Sequence, residues 1–125
     1  MNRSNKTFIE NIVNCLFCSI AEGKIPATVV FEDETIMAFC DVNPQAPHHL
    51  LVIPKKHIAT IDDANTDDAL LLGLMVLRAQ SLAATEGFNY SGYRLVFNVN
   101  SNGGQTVNHI HLHVLGGRKM TWPPG

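Results

Sequence analysis

Charge is scarce in this 125-residue chain: Asp, Glu, Lys and Arg make up 16% of it, against 46% for hydrophobic types. Nine basic residues against eleven acidic ones leave no positive excess to follow a phosphodiester backbone, so no nucleic-acid partner is expected. No uninterrupted apolar run reaches the roughly 18 residues of a membrane span, and no membrane partner is expected either. Met1-Asn2-Arg3-Ser4-Asn5-Lys6 leads into no signal-type stretch. Three cysteines are odd in number and too few for a secreted disulfide scaffold, which favours a reducing compartment, the cytoplasm. Repeats and low-complexity tracts are missing as well. A chain of this length buries about two-thirds of its unfolded surface as one domain. Residues 1–13 therefore read as an N-terminal lead and 14–125 as a single domain.

The elements follow from periodicity and punctuation. Asn14 to Glu22 reads as a short helix stopped by Gly23. Thr28–Phe31 and Thr35–Phe39 flank Glu32-Asp33-Glu34 as two antiparallel strands with a tight turn. The prolines of Asp41–Pro47 make a loop, and His49–Ile53 is a buried strand closed by Pro54. A long helix is expected from about Thr66 to Glu86, with Thr66 as N-cap and Gly87 as stop. Between Ala69 and Leu77 it is apolar on nearly every side, so it is buried by the sheet and by a partner subunit, or by its own loops. Tyr93–Asn98 and Val107–Leu115 are the last strands. The sum is an α+β domain: a mostly antiparallel sheet of about five strands with one long and one short helix.

Histidine is where the sequence concentrates its chemistry. In Asn108-His109-Ile110-His111-Leu112-His113-Val114 the strand period of two puts three imidazoles on one face and Ile110, Leu112 and Val114 on the other. Ordinary half-buried strands put Thr, Lys or Glu at such positions. Two uses fit the row. It can ligate a metal, or one imidazole can be a nucleophile or acid–base whose neighbours orient it on an anionic substrate. The preceding turn, Gly103-Gly104-Gln105-Thr106, offers closely spaced backbone N–H groups of the kind that cradle phosphate, which favours the second use. Cys15-Leu16-Phe17-Cys18 can be redox-active, half of a zinc site, or two small core residues. His48 reads as a solvated neighbour of His49, Lys55 and Lys56 as a solvated pair, and Cys40 as a core or loop residue.

His109–Leu115 resembles the signature of the histidine triad superfamily of nucleotide hydrolases and transferases. The tail Gly116–Gly125, with Trp122-Pro123-Pro124-Gly125, is similar to its Hint branch. Ile25-Pro26-Ala27, Phe31-Glu32-Asp33, Pro44-Gln45-Ala46-Pro47 and Leu51-Val52-Ile53-Pro54-Lys55-Lys56-His57 extend the resemblance over roughly 17–125. Asn108 departs from it, standing where an aromatic residue often precedes the triad, and Cys40 where some relatives carry histidine. The resemblance implies a purine nucleoside phosphoramidase in which His111 attacks the α-phosphorus. His113, His109 and His49 would support it, and Thr106 would help protonate the leaving amine. For the nucleotide it implies Phe39 and Val42 at the base, Asp41 at the ribose, and Asn98, Gly104, Gln105, Thr106, His111 and His113 around the phosphate. Trp122 would be carried to the partner's site in a homodimer whose two subunits share one continuous sheet. The resemblance also implies that catalysis needs no cofactor, and that Cys15, Cys18, His57 and His109 can hold a structural zinc. Dinucleoside polyphosphate hydrolysis, or nucleotide binding by a scaffold module with residual hydrolysis, would use the same pocket.

Overall fold

The computed structural model describes residues 14–125, so the expected lead at 1–13 lies outside the described residues. Helix α1 (Leu16–Ala21) is followed by strands β1 (Val29–Glu32), β2 (Ile36–Cys40) and β3 (His48–Pro54). Two 3₁₀ turns, Ile61–Asp63 and Thr66–Asp68, lead into helix α2 (Ala69–Glu86), and β4 (Tyr93–Phe97) and β5 (Leu112–Gly116) complete the chain. The five strands form one antiparallel sheet in the order β1-β2-β3-β5-β4, as the α+β reading expects.

The sheet is covered on both faces, and the pleat sorts its side chains between two cores. Ile36, Ala38, Leu50, Val52, Leu112 and Val114 meet Met75, Ala79, Leu82 and Ala83 of α2. Their sequence neighbours Met37, Phe39, Leu51 and Ile53 meet Cys15, Phe17 and Ile20 at the start of the described chain. β2 and β3 are accordingly buried along almost their whole length. His49 and His113 share the α1 face, so the chemistry sits on the side of the sheet away from the long helix.

The helix boundaries differ from expectation for local reasons. Asn65, not Thr66, caps the approach to α2: its side chain accepts from the Asp67 N–H, and Asp68 returns a bond to the Asn65 N–H. Asp68 is buried and is also paired with Lys56 at 2.7 Å, so the cap is fastened to the end of β3. Loss of such a cap costs about 1 kcal/mol. Gly87 closes α2 at φ 83°, a left-handed turn that suits glycine. The stretch Thr66–Glu86 is the one helix among the described residues that is long and apolar enough, by length and composition, to cross a membrane. Here four of its residues lie in the core of the sheet, while Leu70, Leu74, Val76 and Leu77 remain exposed.

The last strand is shorter than Val107–Leu115. The ladder between β3 and β5 begins at Val52 opposite Leu112, and β4 ends opposite the same residue at Phe97. Beyond it, Pro54 has no N–H to offer and its carbonyl is taken by the His109 ring at 2.8 Å. Ile110 instead bonds the Ile58 carbonyl at 2.8 Å. Residues 107–111 thus approach the sheet as irregular backbone, although Ile110 still joins the α2-side core.

Smaller expectations also change. The His48 ring is half-buried and stacked on Phe88 at 4.5 Å, not solvated. Lys55 pairs with Glu32 at 2.6 Å and Lys56 with Asp68, so the two lysines serve separate contacts. Cys40 ends β2, half-buried against the α2-side core.

Candidate active site and candidate metal centre

The three triad histidines leave the sheet in two directions. His111 and His113 face one another with ring centroids 5.0 Å apart, whereas the His109 ring turns away towards the cysteines. Backbone groups of known polarity fix where each ring carries its proton.

His111 Nδ1 lies 2.7 Å from the His109 carbonyl. A carbonyl only accepts, so Nδ1 holds the proton and Nε2 presents a lone pair. The Phe17 ring meets the His111 ring edge-on, centroids 5.0 Å apart. Burial lowers the His111 pKa below the ordinary 6.5, opposed by its bond to the His109 carbonyl and by Asp41. At neutral pH His111 is therefore uncharged and oriented, with a lone pair available at Nε2.

His49 is read in the same way. The Gln45 N–H donates to its Nδ1 at 3.0 Å, which leaves the proton on Nε2. That Nε2–H donates to His113 Nδ1 at 2.9 Å, with Asp41 Oδ2 3.4 Å away. His113 must then carry its own proton on Nε2, a buried atom with no hydrogen-bond partner. A chain of polarised N–H groups thus runs from the Gln45 backbone through His49 and ends in a donor at His113. Asp41, His49 and His113 offer ligand atoms within 4.8 Å of one another, the spacing of a metal site. Because His49 Nε2 is protonated, this donor set suits a proton relay and not a cation.

Burial also sets the relay's charge. It pushes His113 down to about 4, helped by the neighbouring His111 and His49, and it lowers His49 against the pull of Asp41. Folding therefore keeps these rings neutral where the unfolded chain would protonate them. The unfolded state binds more protons below its pKa of 6.5, so stability is complete above 6.5 and declines as pH falls towards 4. Urea unfolding should show a lower midpoint at pH 4.5 than at pH 7.5, and equal midpoints would contradict the assignment.

The third ring, His109, is fully buried. Its Nε2–H donates to the Pro54 carbonyl at 2.8 Å, so Nδ1 is the free lone pair. Around that atom lie Cys15 Sγ at 3.3 Å, Cys18 Sγ at 3.5 Å and His57 Nδ1 at 3.2 Å. Cys18 Sγ and His57 Nδ1 are themselves 3.2 Å apart. A tetrahedral ion with ordinary metal–sulfur and metal–nitrogen bonds separates its ligands by roughly 3.3–3.8 Å. The four donors are arranged for one, and the lone pair of His109 is aimed at their centre by Pro54. Burial and the Cys15 thiol push Cys18 up to about 12, and burial holds His109 down to about 4.

The other expected site residues are placed less uniformly. Phe39 is buried beside Phe17, ring centroids 5.5 Å apart. Val42 is 99% exposed, Thr106 is exposed, and Asn98 is half-buried just past the end of β4. Trp122 is 84% exposed, on a tail that Arg94 holds through the Thr121 carbonyl at 2.8 Å. The glycine turn is not the open cradle its sequence suggests. The Gly104 and Gln105 N–H groups bond the Ser101 and Asn100 carbonyls, and the Gln105 side chain ties Ala59, Val107 and Asn100 together. A Cβ at Gly103 would stand 2.3 Å from the Val99 oxygen, so glycine there serves close backbone packing. Among the described residues, the unpartnered buried ring nitrogen next to His111 is His113 Nε2. Phe17, the Pro54 carbonyl and the Gln45 N–H were not legible as site groups, because two of them act through the backbone and Phe17 reads as ordinary helix core.

The family model described as "Scavenger mRNA decapping enzyme C-term binding" matches residues 14–122. A HIT family hydrolase from Legionella pneumophila has the same fold at TM-score 0.88 and 70% identity, over 90% of this chain and all of that one. The chain belongs to the histidine triad superfamily. Among other relatives of this histidine triad protein is an uncharacterized HIT-like protein of Synechococcus elongatus, 49% identical over 88% of this chain and 96% of its own. A Zn-bound histidine triad family protein from Mycobacterium smegmatis is 31% identical at TM-score 0.74, over 86% of this chain and 77% of that one.

Proposed function

We propose that this protein is a hydrolase that cleaves the P–N bond of purine nucleoside phosphoramidates through a nucleotidyl-His111 intermediate. The placement of ring protons carries the reading: a lone pair at His111 Nε2 beside an unpartnered N–H at His113 Nε2. His111 Nε2 bonds to phosphorus as the P–N bond breaks. The amine leaves with the electron pair and takes a proton that solvent passes through the exposed Thr106 hydroxyl, which gains one proton as it gives one. Charge gathering on the phosphoryl oxygens is met by the His113 N–H, whose partner His49 holds it in the donating tautomer. Water then attacks phosphorus, the bond to His111 breaks, and the proton that water sheds replaces the one given to the amine. Asp41 accepts from the ribose hydroxyls, Phe39 and Val42 flank the base, and Asn98 and the Gly104–Gln105 turn border the phosphate. Purified enzyme is expected to turn over adenosine 5′-phosphoramidate at least tenfold faster than diadenosine polyphosphates. The reverse order would move the assignment to dinucleoside polyphosphates, and negligible turnover of every phosphoramidate would make the chain a nucleotide-binding module.

Catalysis in this scheme is carried by side chains, and the metal has a structural role. We assign Cys15, Cys18, His57 and His109 to zinc, supported by the tetrahedral donor spacing and by the Zn-bound mycobacterial relative. When bound, zinc would tie together α1, the segment after β3 and the irregular segment that carries His109. Three free cysteines suit the reducing cytoplasm.

The protein works as a homodimer in our reading. Leu70, Leu74 and Leu77 lie exposed at helical spacing on α2, and β4 leaves a free edge of the sheet to a second copy. Trp122 would then reach the partner's nucleotide. Light scattering on a sizing column should give twice the chain mass at micromolar concentration, and a monomer there would exclude the pairing.

A further inference from the structure

We infer that the Cys15/Cys18/His57/His109 cluster positions the nucleophile, with Phe17 and the His109 carbonyl as the two links to His111. The inference rests on the nucleophilic role given to His111 above. Two independent contacts join the cluster to that ring, and both begin at cluster residues. One runs through a single residue and a short hydrogen bond: His109 turns its Nδ1 to the cluster and accepts at its carbonyl from His111 Nδ1–H at 2.7 Å. The other passes through Phe17, which lies between the two cysteines and sets its ring against both His111, at 5.0 Å, and His109, at 6.1 Å.

The helix carrying Phe17 cannot hold it there alone. α1 is six residues long, well below the length at which a helix is stable by itself, and its N-cap is the cluster ligand Cys15, whose sulfur accepts from the Cys18 N–H at 3.3 Å. Its anchors are the packing of Phe17 and Ile20 on Met37 and Phe39 and the two sulfurs. A bound ion closes Cys15 and Cys18 onto His57 and His109 and so fixes Phe17 against the imidazole. Removing it frees the sulfur end of that anchor and one side of His109. His111 then keeps its hydrogen-bond acceptor but loses the rigid surroundings that single out one ring orientation. Phe17 and the ion are positioning groups here: neither takes part in bond-making.

Nitrogen NMR of the imidazoles reads this directly, without substrate. Zinc is titrated into metal-stripped protein, wild type and Phe17→Ala. In the wild type, zinc should move the His57 and His109 ring resonances and, in the same titration, sharpen His111 into a single Nδ1–H form. In Phe17→Ala, zinc should still move His57 and His109 while His111 stays broadened or mixed. Phe17→Leu, which keeps bulk in the pocket, should restore part of the sharpening. Metal-stripped wild type and loaded Phe17→Ala should each lose about tenfold or more in kcat on adenosine phosphoramidate. Should the stripped chain unfold, the loaded Phe17→Ala and Phe17→Leu proteins alone carry the comparison. A His111 signature indifferent to zinc and to Phe17, with His57 and His109 responding, overturns the inference, and so does failure of His57 and His109 to respond to zinc. A responsive His111 in a protein that turns over no phosphoramidate would leave the positioning intact and sink only the substrate assignment.

Discussion

His111→Ala is expected to lower phosphoramidate turnover by at least about a thousandfold while leaving AMP affinity within a few-fold of wild type. The expectation follows from what the ring contributes. Its Nε2 lone pair is left available by the backbone, through the Nδ1–H bond to the His109 carbonyl. In the proposed mechanism phosphate contact falls instead to His113, and ribose contact to Asp41, neither of which the substitution removes. Loss of His111 should therefore appear in kcat and not in binding. His113→Ala should behave differently, because it removes the donor that meets phosphoryl charge and leaves His49 Nε2–H with only the more distant Asp41 to receive it. Rapid quench with labelled substrate should trap a nucleotidylated protein in the wild type and none in His111→Ala. Near-wild-type turnover by His111→Ala would end the covalent mechanism.

The two variants also separate catalysis from pH. Burial lowers the pKa of His111, so the neutral nucleophile survives below the 6.5 at which a free imidazole would be half protonated. The acidic limb of kcat/KM should accordingly lie below 6.5.

Much of this was legible in the chain before any fold was known, and the reasons differ by element. Alternation of histidine with Ile110, Leu112 and Val114 correctly puts the three aliphatic side chains in the α2-side core, Ile110 included although the ladder has lapsed there. It cannot show that residues 107–111 leave the sheet. That outcome depends on a proline 55 residues earlier whose carbonyl takes the His109 ring. Three histidines on one face likewise do not reveal a division of labour. The division arises because the Pro54 carbonyl and the Gln45 N–H hold His109 and His49 as Nε2–H tautomers while the His109 carbonyl holds His111 as Nδ1–H, and backbone polarity of that kind appears only once the chain is folded. The glycine turn misleads for the same reason: its N–H groups look available in sequence and are spent on Asn100 and Ser101 in the fold. The apolar excess of α2, by contrast, is plain in composition, and the fold leaves Leu70, Leu74 and Leu77 exposed on it.

Chelation supplies the largest expected change in stability. The four donors connect α1, the segment after β3 and the triad segment, and α1 is packed on the sheet by the small core around Phe17. An ion present at a thousandfold excess over its dissociation constant stabilises the folded chain by about 4 kcal/mol. For a domain of this size that amounts to a Tm shift on the order of 15 °C. Binding must displace a proton from the Cys18 thiol, which burial pushes up to about 12, whereas His109, held down to about 4, is already neutral. Metal affinity should therefore fall as pH drops, with protons released on loading. Calorimetric melts of zinc-loaded and chelator-treated protein, alongside Cys18→Ser, test this, and Cys40→Ser serves as a thiol change outside the cluster. The loaded protein and Cys40→Ser should melt together, well above the other two. If chelator-treated protein and Cys18→Ser melt within a degree or two of the loaded wild type, these four residues are a packed cluster of thiols and imidazoles and not a metal centre.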